Sequence, residues 1–308
     1  MDTTEAATGS VAVVIPTRNR PERLRICLDA LAGAQRHYKF SVYVGDSSTS
    51  ADLRAEVAAV CKRHDFVHLQ HHESVGIGAA RNFCTHIAQA ELLVNVDDDI
   101  YIEEDTVKRL VDCYQRGSGW RVVAGSVLWG NHWSRPIVMR RIGYGRPARY
   151  AEEPSFLIGA LFLYPRALAL ACPWIETVPT SDDRMMGALW RAKGVQMLFA
   201  PDARAAHDDR HYSYGVRVTT SATAPPPRHS RDHIYVNLFD TLIANRSLLR
   251  ACEYEVLGFL AGAKTYFRRP GSAWEYLVGW LRGHKQFLRD RPVLRSAVCA
   301  PLPPAPAR

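Results

Sequence analysis

The sequence predicts an α/β fold in which helices cover both faces of a mainly parallel sheet. Short apolar runs alternate with helix-length stretches through the first half of the chain. Parallel strands need such helical crossovers, and a sheet covered on both faces needs strands that are apolar throughout, as "LLVNV" at 92–96 is. Acidic residues such as Asp46 and Asp97 directly follow strand-like runs, which places them at the carboxyl edge where open α/β sheets bind ligands.

Four strands and three helices are predicted in the first half. Pro21 stands where the first turn of a helix tolerates proline, and Leu24, Cys27 and Leu28 follow at helical spacing. The strands are predicted at 11–15, 40–45, 66–70 and 92–96, and the helices at 21–33, 51–63 and 76–89.

After residue 120 the pattern becomes mixed. A helix predicted at 182–193 is closed by Gly194, and the strand that follows it is ended by Pro201. Strands are predicted at 121–129, 155–164 and 195–200, and two or three helices between 232 and 295.

Composition indicates a protein of the reducing cytoplasm. Of the 308 residues, 47% are hydrophobic and 23% charged, which is ordinary for a globular protein. The polar start "MDTTEAATGS" does not resemble a signal peptide, and the longest apolar run is about half of the roughly 20 residues that a membrane-spanning helix needs. The seven cysteines are scattered without a CxxC pair, which argues against a disulfide framework or a cysteine zinc site. Frequent Ala and Arg suggest a GC-rich bacterial genome.

The net charge of +8 is concentrated in the last third of the chain. Residues 1–203 contain 23 Lys and Arg against 23 Asp and Glu, whereas residues 204–308 contain 16 against 8. A local basic surplus attracts phosphate groups, membrane surfaces or nucleic acid, although it also serves solubility alone. No motif that reads nucleic acid accompanies the charge, so we expect no nucleic-acid partner.

Three consecutive aspartates, Asp97, Asp98 and Asp99, follow the strand at 92–96. Neighbouring carboxylates repel one another unless a cation lies between them, and oxygen ligands of this kind suit Mg²⁺ or Mn²⁺. The same residues could also stabilise the N-terminus of a following helix. From the triplet alone, a metal site and a helix cap are equally good interpretations.

Two neighbouring stretches favour a ligand site. Asp46 ends the second strand at the same edge of the sheet, and the glycine-rich turn "SVGIGAARNF" leads into a helix that carries Arg81. Such a turn can bind phosphate. It is a poor dinucleotide fingerprint, because Arg81 replaces the third glycine and the turn does not follow the first strand. The sequence therefore does not favour an NAD-dependent dehydrogenase.

Six stretches, taken in order, resemble family 2 glycosyltransferases of the GT-A fold. They are "VAVVIPTRNRPERLRICLDAL", "VGDSSTS", "SVGIGAARN", "LLVNVDDDI", "GALFLYPRAL" and "SDDRMMGALWRAKG", and they cover about residues 10–207. The resemblance implies an inverting enzyme that uses a nucleoside-diphosphate sugar, with UDP-sugars favoured, and a Mn²⁺ or Mg²⁺ ion on the pyrophosphate. It also implies an acceptor hydroxyl on a small molecule, a glycolipid or a growing glycan.

The resemblance assigns residues to the donor and metal sites. Asp97 and Asp99 match the outer members of the DxD motif, with Asp99 the more direct metal ligand, and His207 matches a position where related enzymes add a histidine ligand. Neutral imidazole can complete such a site. The residues implied to bind the nucleotide sugar are Pro16, Thr17, Asp46, Arg81, Asp97 and Asp98.

The stretch "TSDDRMMGALWRAKG" resembles the acidic motif that supplies the general base. Asp183 matches the usual base, with Asp182 as its neighbour or substitute, and adjacent carboxylates raise one another's pKa. The chain departs from the family by having Asp where Glu is customary and Leu189 where an arginine is usual. A helix cap is the competing interpretation of the pair.

The basic C-terminal helices are predicted either to dock on the catalytic domain or to make peripheral contact with a membrane. The chain is thus predicted to divide into a disordered N-terminus at 1–9, a nucleotide-sugar-binding half at 10–120, an acceptor-binding half at 121–207, a loop or lid at 208–231, a helical region at 232–295 and a disordered tail at 296–308.

The sequence thus favours a cytoplasmic, metal-dependent, inverting glycosyltransferase. Two other functions stay open. A nucleotidyltransferase shares much of the sheet and metal chemistry, but "PTRNRPE" lacks the glycine-rich loop that usually follows its first strand. A non-catalytic sugar- or lipid-binding module is the other alternative, should the acidic pair be degenerate.

Overall fold

The structure, a computed structural model, describes residues 10–73, 76–140, 145–149, 152–177, 182–208, 227–260 and 272–305. The strands are β1 Val11–Thr17, β2 Ser41–Asp46, β3 Val67–His71, β4 Leu92–Val96, β5 Ile100–Ile102, β6 Arg121–Trp129, β7 His132–Trp133, β8 Ile137–Met139, β9 Gly145–Pro147, β10 Leu161–Pro165 and β11 Gln196–His207. The helices are α1 Pro21–Gln35, α2 Ala51–Cys61, α3 Ile77–Ile87, α4 Thr106–Gln115, α5 Arg166–Ala171, α6 Asp182–Ala192, α7 Pro227–Leu238, α8 Leu248–Glu253 and α9 Ser272–Cys299; π-helical segments Phe239–Ala244 and Tyr254–Gly258 follow α7 and α8.

The main sheet has the strand order β3-β2-β1-β4-β10-β6-β11-β5, and β7 pairs with β6. The pairs among β1 to β4 and the β6–β11 pair are parallel, whereas β10 and β5 run antiparallel to their neighbours. This confirms the predicted α/β class with a mainly parallel sheet. β2 and β4 lie on opposite sides of β1, so the order in which strands are added to the sheet reverses at β1. Such a reversal leaves a crevice at the carboxyl ends of β1 and β4.

Two hydrophobic cores lie on opposite faces of this sheet. Val13 and Ile15 of β1 face the core formed with α1, α2 and α4, whereas Ala12 and Val14 face the core that contains α3, α5, α6 and the C-terminal helices. Successive side chains of a strand point to opposite faces, so a strand between two cores must be apolar at every position. This is why the continuous apolar runs predicted these strands correctly.

The first four strands lie within two residues of their predicted bounds, whereas two later strands differ more. β10 begins at Leu161 rather than at 155, because Gly159 leaves the strand path and its carbonyl accepts side-chain hydrogen bonds from Asn95 and Arg81. β11 continues through Pro201 to His207, where a register irregularity between Phe199 and Arg204 accommodates the proline.

The C-terminal segments also differ from the prediction. Helix α7 begins at Pro227, inside the segment predicted as a loop or lid, and 209–226 lie outside the described residues. Helix α9 continues to Cys299, and beyond it the carbonyl of Pro303 accepts a 2.9 Å hydrogen bond from Trp120 Nε1. The described part of the predicted disordered tail is therefore packed on the domain; residues 1–9 and 306–308 lie outside the described part.

No helix within the described residues combines the length and the apolar character needed to cross a membrane.

Candidate active site

A cavity of about 310 Å³ lies at the crevice between the carboxyl ends of β1 and β4. Pro16 and Thr17 reach it from the end of β1, and the N-terminus of α3 closes one side. The other residues that line it are Arg18, Arg20, Ser47, Gly76, Ile77, Ala80, Asp97, Asp98 and Asp99. A larger cavity of about 480 Å³ lies beside α4 and β11, but none of the predicted site residues lines it. We therefore take the crevice as the candidate site.

The aspartate triplet occupies a turn between β4 and β5. The amide of Ile100 donates to the Asp97 carbonyl at 3.0 Å, and the amide of Asp208 donates to the Asp99 carbonyl at 2.9 Å. Helix α4 begins only at Thr106, so the helix-cap interpretation of the triplet is wrong. The turn is held instead by the end of β11.

Two arginines at the start of α1, Arg20 just before the helix and Arg23 in its first turn, balance the triplet. Arg20 donates to Asp98 Oδ1 at 3.1 Å and to Asp99 Oδ2 at 3.2 Å, and Arg23 donates to Asp99 Oδ2 at 3.2 Å. Thr17 Oγ1 donates to Asp98 Oδ2 at 2.7 Å. Burial raises the pKa of Asp98 to about 6, although Arg20 and the Thr17 hydroxyl stabilise its carboxylate. Burial and the charge of Asp97 likewise raise the pKa of Asp99, against the opposing effects of His207, Arg20 and Arg23.

His207, the last residue of β11, lies beside the triplet. Its Nε2 is 3.7 Å from Asp99 Oδ2, and its ring stacks on Trp129 with 4.0 Å between the ring centroids. Two ligand atoms that each lie about 2.1 Å from one ion are roughly 3–4 Å apart. The spacing between Asp99 and His207 is therefore compatible with a shared cation.

The chemistry of these ligands fits Mn²⁺ or Mg²⁺, since Asp97 and Asp99 supply carboxylate oxygen and His207 supplies imidazole nitrogen. Within the described residues, however, no three His, Cys, Asp or Glu side chains are arranged to hold a metal ion. Arg20 lies against Asp99 instead, and half of the Arg20 side chain is exposed. A cation would therefore displace this guanidinium from Asp99.

Arg81 of α3 joins the triplet to the acidic pair of α6. Its Nη2 donates to Asp97 Oδ1 at 3.0 Å and to the Gly159 carbonyl at 3.2 Å, while its Nη1 donates to Asp182 Oδ2. The guanidinium lies 4.6 Å from the ring centroid of Trp174. Burial disfavours its charge, but Asp182 and Asp97 outweigh this effect and raise the pKa of Arg81. Arg81 thus lies between the two acidic clusters rather than on the surface of the cavity, and its predicted contact with the nucleotide stays a prediction.

Asp182 and Asp183 are the first two residues of α6, and both are partly buried. Burial and then the charge of Asp182 raise the pKa of Asp183 to about 7. Burial also raises the pKa of Asp182, but Arg81 opposes this effect. Asp183 accepts a 2.7 Å hydrogen bond from the backbone amide of Arg184, so the pair also serves the helix N-terminus. The environment therefore suits proton transfer near neutral pH at Asp183 and an ion pair at Asp182.

The backbone of Gly159 approaches this pair closely. A Cβ at residue 159 would lie 3.1 Å from the Asp183 Cβ and 3.3 Å from Arg81 Nη1. The close approach explains why the residue between Arg81 and the acidic pair has no side chain.

Asp46 is fully buried at the end of β2. Its carboxylate accepts from the Ser48 amide at 2.9 Å and contacts His71 Nδ1 at 2.8 Å. The structure places Asp46 at the predicted edge, next to Ser47 of the cavity wall, with its carboxylate held by protein groups. Its predicted contact with the nucleotide sugar stays a prediction.

Sequence reasoning missed Arg20 and Arg23 as partners of the triplet. A signal was present: both residues open the helix after β1, and three carboxylates at the same sheet edge need nearby cations. Leu189, which replaces a usual arginine of the family, is buried in the second core.

Comparison with known proteins gives a family match. The profile of the family described as "Glycosyl transferase family 2" matches residues 12–170, which is 159 of the 308 residues. No curated protein sequence matches the chain significantly.

Solved structures resemble the whole fold. The structure of S. aureus TarS 1–349 in complex with UDP-GlcNAc has a TM-score of 0.58 and 16% identity, over 94% of this chain and 87% of that chain. The mannosyltransferase PcManGT from Pyrobaculum calidifontis, in complex with GDP-Man and Mn²⁺, has a TM-score of 0.56 and 16% identity, over 96% and 86%. GalNAc-T7 with UDP, GalNAc and Mn²⁺ has a TM-score of 0.61 and 13% identity, over 97% of this chain and 60% of that chain. At such identities the likeness shows the GT-A fold.

Proposed function

Because the chain belongs to glycosyl transferase family 2 and is a glycosyltransferase, we propose that it transfers a sugar from a nucleoside-diphosphate sugar to an acceptor hydroxyl with inversion at the anomeric carbon. One observation supports this proposal most. Arg81 brings Asp97, beside the cavity, and Asp182, beside the candidate base, onto a single buried guanidinium. The proposed donor site and the proposed proton acceptor would thus be next to each other. The family match also favours this function over the nucleotidyltransferase and the non-catalytic module.

The cavity is proposed to bind the donor. Its glycine-containing wall at the start of α3 offers backbone amides to phosphate, and Arg20 offers a half-exposed positive charge. The related structures hold UDP-GlcNAc and GDP-Man, which supports a nucleoside-diphosphate sugar, and we retain the UDP-sugar as the favoured donor.

Mn²⁺ or Mg²⁺ is proposed to be held by Asp97, Asp99 and His207. When bound there, the ion would neutralise charge on the diphosphate leaving group. The chain's own contribution is also electrostatic. Arg20, which lines the cavity, would lie beside the same diphosphate once freed from Asp99 and would stabilise the negative charge that develops on it.

Asp183 is proposed to be the general base. As its carboxylate takes the proton of the acceptor hydroxyl, the hydroxyl oxygen forms a bond to the anomeric carbon. The bond from that carbon to the diphosphate oxygen breaks, and the nucleoside diphosphate leaves with the electron pair. Attack on the face opposite the leaving group inverts the configuration. Asp182 remains ionised against Arg81, and its charge keeps the proton affinity of Asp183 high.

A panel of nucleotide sugars tests the donor and the base together. Ligands that bind only the folded protein raise its melting temperature, so the panel is screened with and without Mn²⁺. The donor that gives a shift is then assayed for nucleoside-diphosphate release with acceptor hydroxyls. We expect Asp183→Asn to bind that donor and to lose turnover, while Asp112→Asn, an exposed carboxyl on α4, behaves like the parent. Full turnover in Asp183→Asn would overturn the assignment of the base.

A further inference from the structure

The C-terminal helices expose an unusual number of large apolar side chains. Of the eleven such residues among those described, only Trp133 and Leu170 lie elsewhere. The other nine form what we call the outer helical face: Leu248, Leu249, Val256, Leu257, Leu260, Trp274, Leu281, Leu288 and Val293. Leu248 and Leu249 are the most exposed of them, at 72% each. An apolar surface concentrated in this way marks a binding surface rather than scattered surface residues.

The folding of the domain does not account for this surface. Helix α9 already packs its inner side on α7, where a Cβ on Gly283 would lie 2.7 Å from the Arg231 carbonyl. Trp274, Leu281 and Leu288 are seven residues apart and therefore share another side of the helix. Helix α9 is thus apolar on two sides, of which the domain covers one.

The two segments that carry the outer helical face pack against each other. Glu255 accepts a 3.2 Å hydrogen bond from Trp280 Nε1 and lies 3.2 Å from His284 Nε2. The ring of Phe259 lies 5.8 Å from that of Tyr276. The apolar residues of 248–260 and of α9 therefore belong to one region of the surface.

The charges in this region are mainly basic. Exposed arginine and lysine side chains border the apolar residues, whereas the acidic Glu255 and Asp290 are turned inward to protein partners, Asp290 to Tyr235 and Arg289. The exposed basic residues include Arg250, Arg282, Lys285 and Arg295. Over residues 246–295 the sequence contains ten Lys and Arg against four Asp and Glu.

We propose that the outer helical face docks on the surface of an anionic phospholipid bilayer. Leucine, valine and tryptophan side chains would enter the boundary between headgroups and acyl chains, and the neighbouring arginines and lysine would bind lipid phosphates. A second copy of the chain fits the surface less well, because a symmetric interface would bring the same basic residues of the two copies together. This inference goes beyond the proposed function and does not depend on it.

Docking would also bear on the acidic pair. Gln286 of α9 donates to the Thr177 carbonyl at 2.9 Å, and Arg184, next to Asp183, donates to Asn237 of α7. Helix α9 packs on α7, and α7 contacts α6, so the docking face is connected to α6 through α7. The base would be held at a fixed position relative to the lipid surface.

Vesicle flotation of the full chain tests the proposal. We expect the protein to float with phosphatidylcholine vesicles that contain phosphatidylglycerol, to float less at high salt, and to bind pure phosphatidylcholine more weakly.

Two pairs of leucine variants test the apolar part of the face. Leu248→Gln with Leu249→Gln, and separately Leu281→Gln with Leu288→Gln, should lower vesicle affinity about tenfold or more, since insertion of even one leucine contributes on the order of that factor. Arg282→Gln with Lys285→Gln should lower affinity for the anionic vesicles alone. Leu170→Gln is the matched control, because Leu170 is an exposed leucine outside the face.

Three results would overturn the proposal. The parent protein fails to float with anionic vesicles at low salt; it floats and every variant floats equally; or the parent sediments as a dimer that does not float and that the leucine variants dissociate. The last result would assign the face to a second copy of the chain. An unchanged melting temperature of each variant shows that the fold is intact. Because flotation needs no donor or acceptor, failure of the proposed glycosyl transfer would leave this test unaffected.

Discussion

The buried Arg81 forms an ion pair of 3.0 Å with the partly buried Asp97, and this connects the first four strands to the acidic helix α6, because the same guanidinium also binds Asp182. Asp97 and Asp182, which share this guanidinium, are far apart in the sequence. Removing its cation would leave Asp97 and Asp182 without this compensation.

Arg81→Met should destabilise the fold and abolish activity. Breaking a buried ion pair by removing one partner costs about 3–5 kcal/mol, because the remaining charge is uncompensated. Urea unfolding measures the loss. Arg25→Met serves as the control, since Arg25 binds Glu22 and Asp29 on the exposed side of α1, where such pairs contribute at most about 1 kcal/mol. Equal unfolding midpoints for the two variants would contradict the central position of Arg81.

Turnover should rise with pH through about 7. Asp183 must be ionised to accept the acceptor's proton, and burial with the charge of Asp182 raises its pKa to about 7. The profile of kcat against pH measures this midpoint, which belongs to the coupled pair. An activity that is flat between about pH 5 and about pH 8 would show that another group takes the proton.

Asp183→Asn should stabilise the protein at high pH while removing turnover. The folded-state pKa of about 7 exceeds the ordinary value of 3.8, so the folded state binds this proton more tightly than the unfolded chain does. The full stability is present below about pH 4 and is lost as the pH rises through 7. The neutral amide avoids that loss, which at about 1.4 kcal/mol for each pKa unit amounts to a few kcal/mol. Urea midpoints of parent and variant should therefore be similar near pH 4 and diverge near pH 8. A variant that is less stable than the parent near pH 8 would refute this explanation.

Metal binding should depend on Asp99 and His207. We expect Mn²⁺ to raise the melting temperature of the parent, Asp99→Asn to remove the shift, and His207→Gln to weaken metal affinity at least about tenfold, since one ligand is lost. Asp112→Asn is the control. A shift that persists in Asp99→Asn would place the ion elsewhere.

Gly159→Ala should lower kcat about tenfold or more by moving the acidic pair. The new methyl group would lie 3.1 Å from the Asp183 Cβ, which is closer than side chains normally approach, and small displacements of a catalytic group are costly. Gly33→Ala tests whether the effect is local. A Cβ at residue 33 of α1 has ordinary contacts of 3.8 Å or more, and alanine should stabilise that helix by up to about 1 kcal/mol. Unchanged turnover in Gly159→Ala would show that the close approach has no bearing on catalysis.

The sequence by itself determined the first four strands, the three helices between them and the edge of the sheet at which Asp46 and Asp97 lie. These features follow from local patterns: a strand between two cores must be apolar throughout, and a polar residue that follows such a strand must lie at its end. The family resemblance also rests on local motifs. It could therefore assign residues to motifs, but it could not predict which residues of different motifs contact one another.

Only the tertiary structure decided what those residues contact. The pairing of Arg20 and Arg23 with Asp99, the bridge of Arg81 between Asp97 and Asp182, and the packing of the chain end against Trp120 all join residues that are distant in sequence. Such contacts depend on the order of strands in the sheet and on the exact lengths of loops, which leave little trace in local hydrophobic periodicity. The sequence could predict where charge would gather, whereas the assembled fold determined which cation neutralises each carboxylate.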